Sequence, residues 1–321
     1  MIFSTEEFKW FTPANPTPRV GPTQALRTVT YFQQILISGL LIGCIYGMAA
    51  LGFTIVFNAT RVINFANGEF LMLGGLSTAA LIAANASGWG TVTAVLGAAA
   101  LTTGVGLLMQ ALAFDKAKSR DLQMLVMLTI GITLMLRGAA SIVFGRSVNF
   151  VTDFGGFPEL NYGGVFIPPQ GVWIALAMLA VSAALWLLYT RTTLGKAMQA
   201  ASMEPGAAAL CGIEPRRMAL LAFALAGLIG GLAGALMAPL APPFYENGIA
   251  LGLKGFAAAI AGGLGNPLGA VLGGLLIGVV ESVSAGYGAS GYKDAVSFLL
   301  LVAILIVRPA GLLGKLQIKR V

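Results

Sequence analysis

Few residues in this chain could do chemistry, and most of them interrupt apolar stretches. The run Arg61-Val-Ile-Asn-Phe-Ala-Asn-Gly-Glu69 sets Asn64, Phe65, Asn67, Gly68 and Glu69 where a membrane helix would otherwise continue. Amides and a carboxylate there supply hydrogen bonds and charge for holding a solute or fixing helix register. A second interruption, Gly262-Gly-Leu-Gly-Asn-Pro267, joins helix-weakening Gly262 and Gly263 to Asn266 and Pro267. Proline lacks an amide hydrogen and restricts the residue before it, so a straight helix through 262–269 is not expected. Broken backbone is tolerated in a bilayer only where protein or a water-filled path replaces lipid. Broken segments at corresponding places in two halves point to a translocation route.

Arg137 and Glu281 also fall inside apolar segments. Charge at that depth is usually paired or lines a cavity. For Arg137 the readings are a structural ion pair, with Glu69 or Glu281 as partner, and a solute contact. Glu69 reads as pathway-lining or as a cap in the headgroup region. Glu281 either closes the second broken segment or reaches water.

The rest of the composition narrows the classes. Hydrophobic residues are 57% and charged residues 10% of 321, against roughly 25% charged in soluble domains, and the mean hydropathy is +0.87. The chain therefore reads as lipid-solvated, with no room for a large soluble enzyme domain. It contains no histidine, which removes the usual general base and metal ligand. Cys44 and Cys211 lie far apart, so neither a disulfide nor a metal site is expected. The net charge of +7 sits mostly in short loops, an orientation signal and not a nucleic-acid patch. No Gly-x4-Gly-Lys-Ser/Thr phosphate loop occurs, since Gly311-Leu-Leu-Gly-Lys315 lacks the spacing and the hydroxyl. If ATP drives transport, a separate subunit must hydrolyse it.

A spanning helix needs ~20 mostly apolar residues. Six uninterrupted candidates lie at about 33–57, 91–114, 124–144, 171–190, 217–240 and 294–310, and the broken segments 61–86 and 255–283 are extra. The expected fold is all-α: a polytopic membrane protein of about eight segments, two of them broken or re-entrant, with internal inverted pseudo-symmetry. If both broken segments return to the side they left, Lys9, Arg19, Arg27, Lys116, Lys118, Arg120, Arg191, Lys196, Arg216, Arg217, Arg308, Lys315, Lys319 and Arg320 share one side. Only Arg61, Arg146, Lys254 and Lys293 then lie opposite. The positive-inside rule favours that arrangement, with the first side cytoplasmic. Residues 1–30 read as a proline-rich tail and not a secretory signal, 31–314 as the membrane domain and 315–321 as a basic tail. The outward loop 145–169 is turn-rich, suited to a docking surface or a connector.

Between the spans, residues 192–213 read as two short cytoplasmic helices broken at Glu204-Pro-Gly206. Gly212 makes a plausible left-handed cap. Small residues there suit docking into a groove of another protein, or packing against the chain's own domain.

Several runs together resemble the branched-chain amino acid ABC permeases of the LivH type. They are Gly43-Cys-Ile-Tyr-Gly-Met-Ala-Ala-Leu-Gly-Phe-Thr-Ile-Val-Phe57, Val62-Ile-Asn-Phe-Ala-Asn-Gly-Glu69, Thr193-Leu-Gly-Lys-Ala-Met198, Ala207-Ala-Ala-Leu-Cys-Gly-Ile213, Ala261-Gly-Gly-Leu-Gly-Asn-Pro-Leu-Gly-Ala-Val-Leu-Gly-Gly274, and Gly291-Tyr-Lys-Asp-Ala-Val296 through Arg308-Pro-Ala-Gly-Leu-Leu313. The resemblance spans nearly all of 31–314. It implies a non-enzymatic importer subunit in the bacterial inner membrane, working by alternating access. Implied partners are a LivM-like permease, two ATPase subunits that carry the ATP, and a periplasmic binding protein. The implied coupling loop maps to 192–213, with Gly195, Lys196, Glu204, Ala207, Ala208 and Gly212 as its coupling residues. ABC importers in general place Glu-Ala-Ala before a glycine there. Here Gly206 occupies the glutamate position, so that carboxylate's salt bridge is not implied. Asn67 stands where the family often has histidine, which excludes a role that needs protonation at 67. Rival expectations are a urea, amide or sugar permease, an ion-gradient carrier, and a scaffold without transport.

Overall fold

A computed structural model describes residues 23–84, 90–117, 121–158, 160–162, 164–288 and 290–314. The greater part of the N-terminal tail, Lys118, Arg120 and the basic C-terminal tail lie outside them. The described elements are α1 (Thr23–Thr60), α2 (Asn67–Ala84), α3 (Gly90–Leu108, continued by a π-helical turn to Phe114), α4 (Leu122–Val143), a hairpin of β1 (Leu160–Tyr162) and β2 (Val165–Ile167), α5 (Pro169–Arg191), α6 (Thr193–Met203), α7 (Pro205–Leu210), α8 (Pro215–Met237), α9 (Asn247–Gly262), α10 (Pro267–Tyr287) and α11 (Lys293–Val307). Seven of these helices are long and apolar enough to cross a membrane, and α9 is a shorter apolar one. The all-α polytopic expectation holds.

Lipid gives helices no hydrophobic reason to associate, so small residues that let backbones approach do the work. Along α1, Gly39, Gly43 and Gly47 meet Val279, Leu275 and Val271 of α10, in descending order. The two helices are therefore antiparallel. Gly106 and Gly227 join α3 to α8 in the same way, with Gly106 against Phe223 and Gly227 against Thr102. By contrast, α9 runs parallel to α1 (Lys254 by Tyr46, Gly255 by Ala49, Gly265 by Asn58). Likewise α2 runs parallel to α8, with Phe70 by Gly230 and Gly75 by Gly234. The set α1–α2–α3 thus repeats as α8–α9–α10 with its direction reversed, which is the expected inverted symmetry.

These directions correct the expected sidedness. The start of α1 is tied to β2: the Gln34 amide donates to the Phe166 carbonyl at 3.0 Å and accepts from the Phe166 amide at 2.8 Å. Its end, at Asn58, sits against the α9–α10 turn, where the Asn58 amide donates to the Gly265 carbonyl at 2.8 Å. That turn lies at the end of the bundle that also carries 192–213 and 308–314. So α1, with Arg27 near its start, begins at the face opposite 192–213, while Lys9 and Arg19 lie outside the described residues. The segment 61–84 does not return to the side it left; it carries the chain back across the bundle. Arg61 moves accordingly to the 192–213 face.

The second break is also placed differently. Gly262–Pro267 does interrupt the helix, but as a turn at the end of the bundle. Asn266 caps α10, its Oδ1 accepting from the amides of Leu268 and Gly269 at 3.1 and 3.3 Å. The last carbonyls of α9, at Ala261 and Gly262, accept from the amides of Leu312 and Leu313 at 2.8 and 2.9 Å. The interior break of the second half lies upstream, at 238–246, before α9. Hydropathy hid it because α8 and the loop read as one apolar run to 240.

A fusion reporter placed before α1 and one placed after Gly314 are expected to report opposite sides of the membrane. Reports from the same side would contradict this helix order. Gly43→Leu is expected to separate α1 from α10 and to abolish the monodisperse peak in fluorescence-detected gel filtration. Its Cβ alone would stand 2.8 Å from the Leu275 Cα, so the backbone itself must move.

Candidate functional site

The first break forms because α1 ends on a residue with no helical continuation. Arg61 takes a left-handed backbone, φ 57°. Thr60 and Asn64 then bend the chain, their side-chain oxygens accepting from the amides of Val62 at 3.2 Å and Ala66 at 3.0 Å. The chain turns back into the bundle and restarts as α2 at Asn67. There the Asn67 amide group donates to the Ala49 carbonyl of α1 at 3.0 Å and lies over Gly52. Gly52 precedes the end of α1 by eight residues, about 12 Å at ~1.5 Å per residue. Helix α2 therefore begins well inside the bundle.

The second half does the same from the opposite direction. Helix α9 begins at Asn247, within the bundle, and its first two turns meet those of α2. A Cβ on Gly68 would lie 2.6 Å from the Gly252 Cα, and one on Gly248 would lie 2.6 Å from the Glu69 Cδ. Both half-helices open with Asn-Gly: Asn67-Gly68 and Asn247-Gly248. Two helix N-termini, each a positive dipole end, converge on one point, with the Asn67, Glu69 and Asn247 amides donating to the carbonyls of Asn64, Ala66 and Phe244. Repeats with broken helices place solute sites at such points.

Glu69 stands at this convergence, 1% exposed, and its Oε1 receives Nη2 of Arg137 on α4 at 3.3 Å. The pairing expected for Arg137 is thus made with Glu69. Glu281 has a different cation. Lys254 of α9, read from sequence as an outward loop residue, is buried. Its Nζ lies 2.7 Å from Glu281 Oε1, 2.8 Å from Asp294 of α11 and 3.1 Å from the Tyr46 hydroxyl. Each half-helix therefore carries one charge, Glu69 or Lys254, tied to the helices that flank it. Sequence reasoning missed Lys254 because α9, apolar but only 16 residues long, is too short to read as a span, so the lysine was placed just outside one. The repeated Asn-Gly pair was the available clue.

Of the expected pathway residues, Asn64, Asn67, Gly68 and Glu69 are buried at the convergence. Phe65 packs on Phe256, ring centroids 5.3 Å apart, and Phe256 in turn on Phe53 at 5.6 Å. Gly262, Gly263, Asn266 and Pro267 lie away from it, at the end of the bundle.

The 192–213 segment folds as the two short helices α6 and α7. Thr192 caps α6, accepting from the Gly195 amide at 3.1 Å. Gly195 packs on the carbonyl of Leu188, while Lys196 is exposed. Glu204 alone breaks the helices. Gly212 is left-handed, φ 79°, and Ile213 donates back to the Ala208 carbonyl at 3.0 Å, the expected cap. Ala208 is buried, Ala207 is exposed, and Met203 and Leu210 are 71% and 92% exposed. Composition had not singled out those two large apolar side chains.

Removing one partner of a buried ion pair typically costs 3–5 kcal/mol, whereas replacing both with apolar groups is often near neutral. Lys254→Met is therefore expected to lower the unfolding temperature in detergent, and Lys254→Met with Glu281→Met to recover most of it. A double variant whose loss equals the sum of those of Lys254→Met and Glu281→Met alone would show that the pair contributes no coupling.

The family model described as "Branched-chain amino acid transport system / permease component" matches residues 35–305. The chain is 30% identical to the high-affinity branched-chain amino acid transport system permease protein LivH of Escherichia coli K12, over 91% of this chain and 98% of that protein. It is 28% identical to the high-affinity branched-chain amino acid transport system permease protein BraD of Pseudomonas aeruginosa, covering 91% of this chain and 99% of that protein. A probable branched-chain amino acid transport permease protein LivH of Methanocaldococcus jannaschii is also 28% identical, covering 87% and 90%. No solved structure matches.

Proposed function

Because this chain belongs to the branched-chain amino acid transport system permease family, we propose that it is the membrane permease subunit of an ATP-driven importer of branched-chain or other hydrophobic amino acids. The observation that carries this reading is the match along nearly the whole membrane domain, joined to two half-helices that start inside the bundle. A scaffold has no need of unwound backbone there. An ion-gradient carrier is the rival from another class, and dependence on ATP separates the two.

The proposed mechanism is alternating access about the point where α2 and α9 meet. Glycine backbone contact lets one half-helix slide or tilt against the other. Motion would enter through α6 and α7. Separate ATPase subunits would grip Met203 and Leu210, with Lys196 and Glu204 beside them. A second, LivM-like permease and a periplasmic binding protein would complete the assembly, and the binding protein would set most of the substrate preference. Among the described residues, Arg61, Lys116, Arg191, Lys196, Arg216, Arg217 and Arg308 gather at the 192–213 end, against Arg27, Arg146 and Lys293 at the other. That bias supports a cytoplasmic 192–213 loop and a bacterial inner-membrane location.

Vesicles carrying this chain with the ATPase, second permease and binding protein encoded beside it are expected to accumulate L-leucine or L-isoleucine only when ATP is supplied. Accumulation driven by an ion gradient without the ATPase would overturn the reading. Leu210→Asp is expected to weaken co-purification of the ATPase by about tenfold or more, the equivalent of ~1.4 kcal/mol, while membrane insertion stays normal. Unchanged co-purification would remove α7 from the docking surface.

A further inference from the structure

The Glu69–Arg137 pair is incompletely used. Glu69 Oε1 takes Arg137 Nη2, but Glu69 Oε2 and Arg137 Nε, both buried, have no hydrogen-bond partner among protein atoms. Buried polar atoms are normally satisfied, and a charged one left over is costly. The ion pair accounts for one bond and leaves one strong acceptor and one strong donor side by side. The open oxygen faces Gly248, in the first turn of α9: a Cβ there would collide with the carboxylate. Thus an unpartnered carboxylate oxygen on a 1% exposed residue is aimed at the N-terminus of a 16-residue helix.

The geometry points to a binding site for the zwitterionic backbone of an amino acid at Glu69 and Arg137. The substrate ammonium is held by Glu69 Oε2, and its carboxylate by Arg137 Nε and the α9 N-terminus. This inference rests on the transport reading above and adds the residues that hold the solute. Charge logic selects the zwitterion. A simple cation would meet Arg137 and a simple anion would meet Glu69, each repelled at short range in a low-dielectric setting. A molecule with both charges on one carbon satisfies both. The positive end of the α9 dipole adds attraction for its carboxylate. The apolar side chain would continue along α9, where Phe256, one turn beyond Gly252, gathers Phe65 and Phe53. In this conformation Gly248 closes the site. Withdrawal of the α9 N-terminus, whose far end is held by residues 312–313, would open it.

The test measures equilibrium binding of tritiated L-leucine to the purified permease–ATPase assembly in nanodiscs, with the binding protein left out. Glu69→Gln, which keeps an acceptor for Arg137, and Arg137→Gln are each expected to weaken binding by about tenfold or more, with the unfolding temperature retained. On the wild-type assembly, 4-methylpentanoate and isopentylamine each lack one backbone charge. Both should compete at least about tenfold less well than L-leucine. The competition series stands even if a variant fails to fold. Wild-type binding by Glu69→Gln, or equal competition by either single-charge analogue, would overturn the inference. If those results came with normal ATP-driven leucine uptake, only the site assignment would fall. If the full vesicle system took up no hydrophobic amino acid, the transport reading would fall with it.

Discussion

Everything in this bundle turns on one close contact, the backbone of α2 against the backbone of α9 at Gly68, Gly248 and Gly252. Glycine is required at 68 and 248 because a Cβ there would enter the backbone of the other helix or the Glu69 carboxylate, and a Cβ on Gly252 would press on Gly68 at 3.1 Å. The contact lets two helices begin inside the membrane domain without exposing their free amides to lipid, where unsatisfied backbone is strongly disfavoured. Beside that contact the halves do interlock: Phe256 packs on Phe65 and Phe53, and Lys254 reaches the Tyr46 hydroxyl. A solute route opening at the glycine contact must part those rings as well.

The charges are arranged around that contact and not along the membrane faces. Glu69 belongs to the first turn of one half-helix and is held by α4. Lys254 belongs to the second turn of the other and is held by α10, α11 and α1. Both pairs cost desolvation, so neither is a simple source of stability. Their consistent feature is geometric: each fixes a half-helix to the helices that flank it, α4 for Glu69 and α10, α11 and α1 for Lys254. The Lys254 cluster is satisfied on every side, with Ser297 also reaching Glu281 at 3.5 Å. The Glu69 pair is not. That asymmetry separates a group that holds structure from one that has capacity left for a ligand.

Much of this was legible in the chain itself. Asn64, Asn67, Gly68 and Glu69 marked the first break correctly, because polar residues amid apolar ones carry a strong signal. The inverted repeat, the Gly212 cap and Glu69 as a partner for Arg137 also followed from residue types. The second break was misplaced. Asn266 and Pro267 are conspicuous helix breakers, but such residues also make ordinary helix caps, and sequence carries no depth coordinate. Residues 238–246 went unnoticed because Pro242, Pro243 and two aromatics sit beside an apolar helix end. Sidedness failed for a related reason: one uncounted crossing reverses everything before it. Once the helices are in order, most described lysines and arginines of the loops still lie at the 192–213 end.

The central claim is that 64–69 and 244–248 lie on a protein-sheltered route and not against lipid. The most direct measurement is the rate at which a water-soluble methanethiosulfonate reagent modifies Phe65→Cys and Tyr245→Cys in the assembled transporter, with and without ATP and substrate. Mid-span Leu134→Cys and Met135→Cys, whose parent residues are 60% and 65% exposed on α4, serve as the outward-facing reference. The account predicts that turnover accelerates modification at 65 and 245, and that substrate slows it, while 134 and 135 do not respond. Slow modification at all four positions, unaffected by ATP or substrate, would contradict it.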